Sequence, residues 1–166
     1  MRQAMDQQTS EAEALFVKAE KAEEKGLLED AANFLMSAAN LDHSGAQVSL
    51  GNRFSWGKGV PKSESKAAYW YKRAHRNGDE SGALNLALDR LKEGNIRSAI
   101  FWLKRAVEMR SGEAAVELAK VYLGRPKGKI KAIELLQLAQ TMKLSEISEQ
   151  GREDAATLLS SIIGAC

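Results

Sequence analysis

The sequence predicts an all-α fold, an α-solenoid of about four helix-turn-helix repeats followed by a C-terminal capping helix. Two observations carry that expectation. The first is a stretch that recurs. Lys66-Ala-Ala-Tyr-Trp-Tyr-Lys-Arg-Ala74 returns as Arg97-Ser-Ala-Ile-Phe-Trp-Leu-Lys-Arg-Ala106, and its skeleton reappears in Asp30-Ala-Ala-Asn-Phe-Leu-Met-Ser-Ala38 and Lys131-Ala-Ile-Glu-Leu-Leu-Gln-Leu-Ala139. In register, the first small residue is Ala31, Ala67, Ala99 and Ala132, at offsets of 36, 32 and 33 residues. Three residues on stand Phe34, Trp70, Trp102 and Leu135; four on, Leu35, Tyr71, Leu103 and Leu136; seven on, Ala38, Ala74, Ala106 and Ala139. Apolar positions at i, i+3, i+4 and i+7 line one face of a helix. A nearly fixed period repeated four times marks an array of stacked units. The second observation is composition. Two prolines, 6% aromatic residues and 44% apolar residues fit a helical chain better than an all-β one.

The elements follow in order. Met1 to Ser10 shows no apolar periodicity and is read as frayed. Thr9 or Ser10 is placed as the cap of a first helix running to about Lys25, with Leu15, Phe16, Ala19 and Ala22 on its buried side and Gly26 ending it. The second helix, about residues 28–41, is the first copy of the motif. A shorter periodicity opens each later unit: Ala46, Leu50 and Phe54; Ala83, Ala87 and Leu91; Ala114, Leu118 and Tyr122. A Gly-containing turn then leads into the motif, through Gly57 and Gly59, Gly94, and Gly124 and Gly128. Each unit is therefore helix A, turn, helix B, with Trp70 and Trp102 expected to be buried between successive pairs. One repeat domain is expected over residues 1–166, with units at about 11–42, 43–78, 79–110 and 111–141. After a link at Ser145 to Gln150, a last amphipathic helix carries Ala155, Leu158, Leu159 and Ile162. It is expected to continue the helix-A pattern (Ala155, Leu159, Ile163) and to cap the array over 145–164, since solenoid ends otherwise expose an apolar face.

The run Ala46-x3-Leu50-Gly51-x2-Phe54-x2-Gly57-Lys58-Gly59-Val60-Pro61-Lys62, followed by Lys66 to Ala74, closely resembles a SEL-one-like repeat, a relative of the tetratricopeptide repeats. The remaining units are more degenerate; Leu91-Lys-Glu-Gly94 has a shorter turn and Gly124-Arg-Pro-Lys-Gly128 lacks the Gly-Val pair. The resemblance covers about residues 11–141. It implies a right-handed solenoid, with helix A lining the concave face and helix B outside, and a role in binding other proteins.

By that register the concave side chains are Val17, Lys21 and Glu24; Val48, Asn52, Ser55 and Trp56; Asn85, Asp89 and Lys92; and Val116, Lys120 and Leu123. Val48, Asn52, Trp56, Asn85, Asp89, Lys92, Val116 and Lys120 form the expected protein-binding set, with Trp56 as the hot spot. A wedge packed under the Gly57–Val60 turn is the competing reading for Trp56. Two functions are weighed: an adaptor or regulator, and a dedicated inhibitor such as an immunity protein covering a toxin.

Net charge is +2, but it is polarised. Residues 1–50 carry 4 basic and 9 acidic side chains, residues 51–131 carry 18 and 8, and residues 132–166 carry 2 and 5. A basic middle suits a partner that is at least locally acidic. Arg125, Lys127, Lys129 and Lys131, with the Lys72/Arg73 and Lys104/Arg105 pairs, also raise a nucleic-acid surface, which the core placement of Trp70, Tyr71 and Trp102 disfavours.

No enzyme signature is present. Gly57-Lys58-Gly59 lacks the spacing and preceding strand of a phosphate loop and reads as a turn. His43 and His75 are placed near helix C-termini, have no partner at metal spacing, and give no ligand set. Cys166, the lone cysteine, is the last residue and permits no internal disulfide. No cofactor and no metal are expected. The polar start of the chain does not read as a signal peptide and none is expected, and no apolar run reaches the ~20 residues that cross a bilayer. A soluble, cytoplasmic protein is expected.

Overall fold

The computed structural model describes residues 2–164, with side chains from Asp6 onward. Nine helices are present among the described residues: α1 Arg2–Glu24, α2 Leu28–Asn40, α3 Ser44–Trp56, α4 Glu64–Arg76, α5 Glu80–Lys92, α6 Ile96–Glu108, α7 Gly112–Leu123, α8 Lys129–Thr141 and α9 Glu149–Gly164. No strand occurs among them. They gather into two compact units, Met1–Leu86 and Ala87–Cys166, whose boundary falls inside α5.

The repeat register is the packing register. The first and seventh-on alanines of all four B helices (α2, α4, α6, α8) have no exposed surface, and the fourth-on residues Leu35, Tyr71, Leu103 and Leu136 are buried. On the A helices Ala46, Leu50, Ala83, Ala87, Ala114 and Leu118 are buried as well. Small residues let helices approach closely, and each buried Leu contributes about 1.5–3 kcal/mol by leaving water.

Helix ends recur with the same chemistry. Ser63, Asn95 and Ser111 cap α4, α6 and α7 by accepting from the backbone N–H three residues on. Each such cap is worth about 0.5–2 kcal/mol. After each of the first three B helices the chain turns in one way. The carbonyls of Ala38, Ala74 and Ala106 accept from the N–H groups of His43, Asp79 and Ser111. The residue before each of these donors is left-handed: Asp42, Gly78 and Arg110. In the Gly57–Val60 turn, Gly59 sits at φ +72 with an added Cβ 2.2 Å from the Leu28 carbonyl oxygen, so backbone contact alone requires glycine there.

Several expectations are corrected. Residues 2–10 are helical, so Thr9 and Ser10 lie inside α1 rather than capping it; Gln, Ala and Met favour helix without an apolar stripe. His43 is not at a helix C-terminus but is the N-cap of α3, its Nδ1 accepting from Ala46 N–H while Nε2 bonds Glu13. His75 does lie in the last turn of α4. Trp70 is buried, but Trp102 is only half-buried. On α9 the buried residues are Ala155 and Ile162, and Ile163 is exposed. The expectations for Met1 and Cys166 fall outside the described residues.

In the second unit the link after α8 folds back on α7. Gly112 N–H donates to the Glu146 carbonyl at 2.6 Å, Ile147 is buried against Gly112, and Arg110 grips the Glu146 carboxylate at 3.0 and 3.1 Å. Met142, Ile147, Ala155 and Ile162 then join Ala115, Val116 and Ala119 in one core.

Candidate functional site

In the first unit, the last two turns of α3 border a cleft of about 270 Å³ lined by Glu23, Ser49, Asn52, Arg53, Trp56 and Lys58. Trp56 is 71% exposed, the expected hot spot standing out of the surface rather than wedged under the turn. The helix ends immediately after it, at left-handed Gly57.

Behind Trp56 the cleft is organised by charge. Arg53 is 4% exposed; its guanidinium donates to Glu23 Oε2 at 2.7 Å and to the carbonyls of Leu28 and Lys58 at 3.3 and 3.1 Å. Lys58 Nζ donates to Glu23 Oε1. The Lys58 hydrogen bond, followed by the charge of Arg53, holds the Glu23 carboxyl below the usual carboxylate range. Glu23 thus fastens the end of α1 to α3 and to the turn beyond it.

Asn52 is set by two neighbours. Its Oδ1 accepts from Tyr71 Oη at 2.7 Å and from Asn85 Nδ2 at 3.3 Å. Asn52 and Asn85 are therefore brought together, and Val48 lies half-buried one turn before. A second network stands at the α2–α3 turn, where Asp42 Oδ1 accepts from Arg73 Nε and Nη2, Asn77 and buried Gln47. Hydrogen bonds from Arg73 and then Asn77 lower the Asp42 carboxyl.

In the second unit the expected residues behave differently. Lys92 pairs with Asp89 at 3.2 Å and Lys120 with Glu117 at 2.7 Å, each three residues apart on one helix. Both cations expected at a groove rim are neutralised on their own helices. Val116 is not on an open face; it is 3% exposed, because the C-terminal segment returns to cover that side of α7.

Sequence reasoning missed Glu23, Ser49, Arg53 and Lys58. Arg53 lies 30 residues from Glu23, and no local pattern pairs them. Among the described residues no cluster of histidine, cysteine or carboxylate side chains could hold a metal ion. No described helix is long and apolar enough to cross a membrane.

The family model described as Sel1 repeat matches residues 44–79, 83–111 and 112–139, more than half of the chain. The chain belongs to the Sel1 repeat family. Sel1 repeats generally serve as protein–protein interaction modules. Among solved structures, the chain is similar to a Sel1 repeat protein from Oxalobacter formigenes at 24% identity and a TM-score of 0.72, covering 91% of this chain and 61% of that one. It is similar to a protective antigen of uropathogenic Escherichia coli strains displaying an SLR fold, at 18% identity and TM-score 0.66, over 93% and 40% of the two chains. The MamA protein aligns at 18% identity and TM-score 0.60, over 92% and 82%. The chain spans less than two thirds of the length of the first two, and at these identities the likeness concerns the fold. No curated protein matches it. Placed on the Sel1 repeats, Asn52 and Trp56 fall in the first matched segment, Asn85 and Lys92 in the second, and Lys120 in the third.

Proposed function

We propose that this protein is a non-enzymatic interaction module, acting as an adaptor or regulator, whose partner protein docks on the α3 face of the first unit. Trp56 is the anchor, with Val48, Asn52 and Asn85 beside it. The observation that carries the reading is a tryptophan 71% exposed beside a cleft whose wall is held by the Glu23–Arg53–Lys58 network. An exposed indole next to a rigid cavity is an energetic cost in the free protein and a source of affinity once covered. Within the second unit, Lys92 and Lys120 are paired with carboxylates on their own helices and present no strong positive field. The repeats are proposed to run over about 11–42, 43–78, 79–110 and 111–141, with residues 145–164 as the cap.

The test starts with affinity capture and cross-linking to obtain the partner, followed by calorimetry on purified components. Trp56→Ala, shown folded by circular dichroism, is expected to weaken binding by at least about 2 kcal/mol, roughly thirtyfold. A folded Trp56→Ala protein binding that partner as tightly as wild type overturns the assignment.

A further inference from the structure

We propose that the exposed crest of α4 is a second docking surface, and that it takes an acidic amphipathic helix of a protein partner. Lys66, Tyr69, Lys72, Arg73 and Arg76 fall on one side of α4, opposite the buried Ala67, Tyr71 and Ala74. Lys66, Lys72 and Arg76 are exposed, and Tyr69 is 51% exposed between them. The one acid of α4, Glu64, lies in its first turn and away from that side. Arg73 is committed to Asp42 at 2.8 Å, and Lys66 rests over the Phe54 ring at 5.2 Å. No described carboxylate pairs with Lys72 or Arg76. The crest is therefore a row of cations around an aromatic ring, of which Lys72 and Arg76 have no described anion.

The next copy of the motif indicates which anion belongs there. On α6, Phe101, Lys104, Arg105 and Glu108 occupy the register positions of Tyr69, Lys72, Arg73 and Arg76. Phe101 is as exposed as Tyr69, and Arg105 lies over its ring at 5.5 Å. Where α4 has Arg76, α6 has Glu108, and Arg105 donates to that carboxylate at 3.2 Å. Both arginines at this position of the motif thus already hold a carboxylate, Asp42 for one and Glu108 for the other. On α6 the acid is supplied within the helix. On α4 the place of that acid is taken by another cation, Arg76, which has no described carboxylate partner.

Geometry favours a helix as its source. Lys66 to Arg76 spans about 15 Å of helix at 1.5 Å per residue. Cations three and four residues apart on this crest stand at about the spacing of carboxylates at i, i+3, i+4 and i+7 on a partner helix. Tyr69 gives an apolar side chain of that partner something to cover.

The test uses a synthetic amphipathic helical peptide with glutamates along one face, its glutamine counterpart, and a single-stranded oligonucleotide, each read by fluorescence anisotropy at low and high salt. Wild-type protein is expected to bind the glutamate peptide, with affinity falling as salt rises, and to bind the other two more weakly. Lys72→Glu/Arg76→Glu is expected to weaken the glutamate peptide at least about tenfold, while Trp56→Ala leaves it unchanged, which separates this surface from the α3 site. Glu108→Lys frees Arg105 and gives α6 by itself the same row of cations as α4, a second copy of the surface, so it is expected to raise peptide binding; it decides the matter if the double variant does not fold. Equal binding of the glutamate and glutamine peptides overturns the proposal. So does a folded double variant that binds as wild type, a Glu108→Lys protein with no gain, or an oligonucleotide held more tightly than the glutamate peptide.

Discussion

Gly51→Ala puts the packing between α3 and α4 to a direct test. In a helix interior this change ordinarily stabilises by about 0.8–1 kcal/mol, through helix propensity. Here an added Cβ would lie 2.4 and 2.5 Å from Cε1 and Cδ1 of the Tyr71 ring, which is itself 2% exposed and cannot swing into solvent. Overpacking of that kind costs about 1–3 kcal/mol. If the ring moves, the Tyr71–Asn52 hydrogen bond goes with it, a further ~0.5–1.5 kcal/mol. The balance is a loss of about 1–3 kcal/mol, or roughly 2–4 °C in Tm for each kcal/mol in a chain of this length. The assay is thermal and urea unfolding followed by circular dichroism. A double-mutant cycle isolates the cause: in the Tyr71→Leu background, where the ring is absent, Gly51→Ala is expected to be neutral or stabilising. A Gly51→Ala protein more stable than wild type would refute the packing argument, as would an equal loss in both backgrounds.

Two further outcomes follow from the ion pairs and the packing of the repeats. Glu23, Asp42 and Glu146 are all held below the usual carboxylate range, by Lys58 and Arg53, by Arg73 and Asn77, and by Arg110 and the Lys143 backbone. A depressed folded pKa means that the unfolded chain takes up protons first. Their contribution is therefore complete above the unfolded values of about 4 and is lost as pH falls through the folded ones. Urea midpoints are expected to be level down to about pH 5 and to fall below about pH 4, less steeply in Glu23→Gln; an acid limb identical in that variant would deny Glu23 its role. Leu135→Trp is expected to stabilise by about 0.5–2 kcal/mol, since Leu135 holds the motif position of Trp70 and borders a cleft of about 360 Å³ between α6 and α8. A lower Tm would show that the cleft is not the slot a tryptophan fills elsewhere in the array.

The fold was legible because repetition multiplies a weak signal. One set of alanines and leucines at i, i+4 and i+7 says helix; four sets in register say which residues meet, and all twelve are buried. Where repetition stops, legibility stops. The polar start of α1 has no stripe to read, and residues 2–10 are helical all the same. The apolar face of α9 was visible, but not that the link before it would return to α7 and close over Val116. His43 could be given its neighbours but not its role, because an imidazole accepting from a helix N-terminus is a tertiary choice shared with Glu13 and the stacked Phe16 ring. The pairing of Lys92 and Lys120 was readable, since Asp89 and Glu117 stand three residues before them on the same helices.

Within the first unit, the polarised charge of the sequence divides between two faces, and that division separates how each would bind. On the α3 side every cation beside Trp56 is answered: Arg53 and Lys58 both close on Glu23. Two cations sharing one carboxylate leave a single net positive charge, so the site exerts only a weak pull at a distance. What it offers is an indole to be covered, so changes at Trp56 act on the lifetime of a complex and depend weakly on salt. On the α4 crest Lys72 and Arg76 are unanswered, and exposed charges of one sign raise encounter rates over roughly a Debye length of about 8–10 Å. Changes there act on association and lose their effect as salt rises. The +10 of residues 51–131 is therefore not evidence for an acidic ligand in the Trp56 cleft, where the nearest cations already have their carboxylate. Part of the excess charge lies instead on the face of α4 that the repeat's own packing leaves uncovered, where Lys66, Lys72 and Arg76 are exposed.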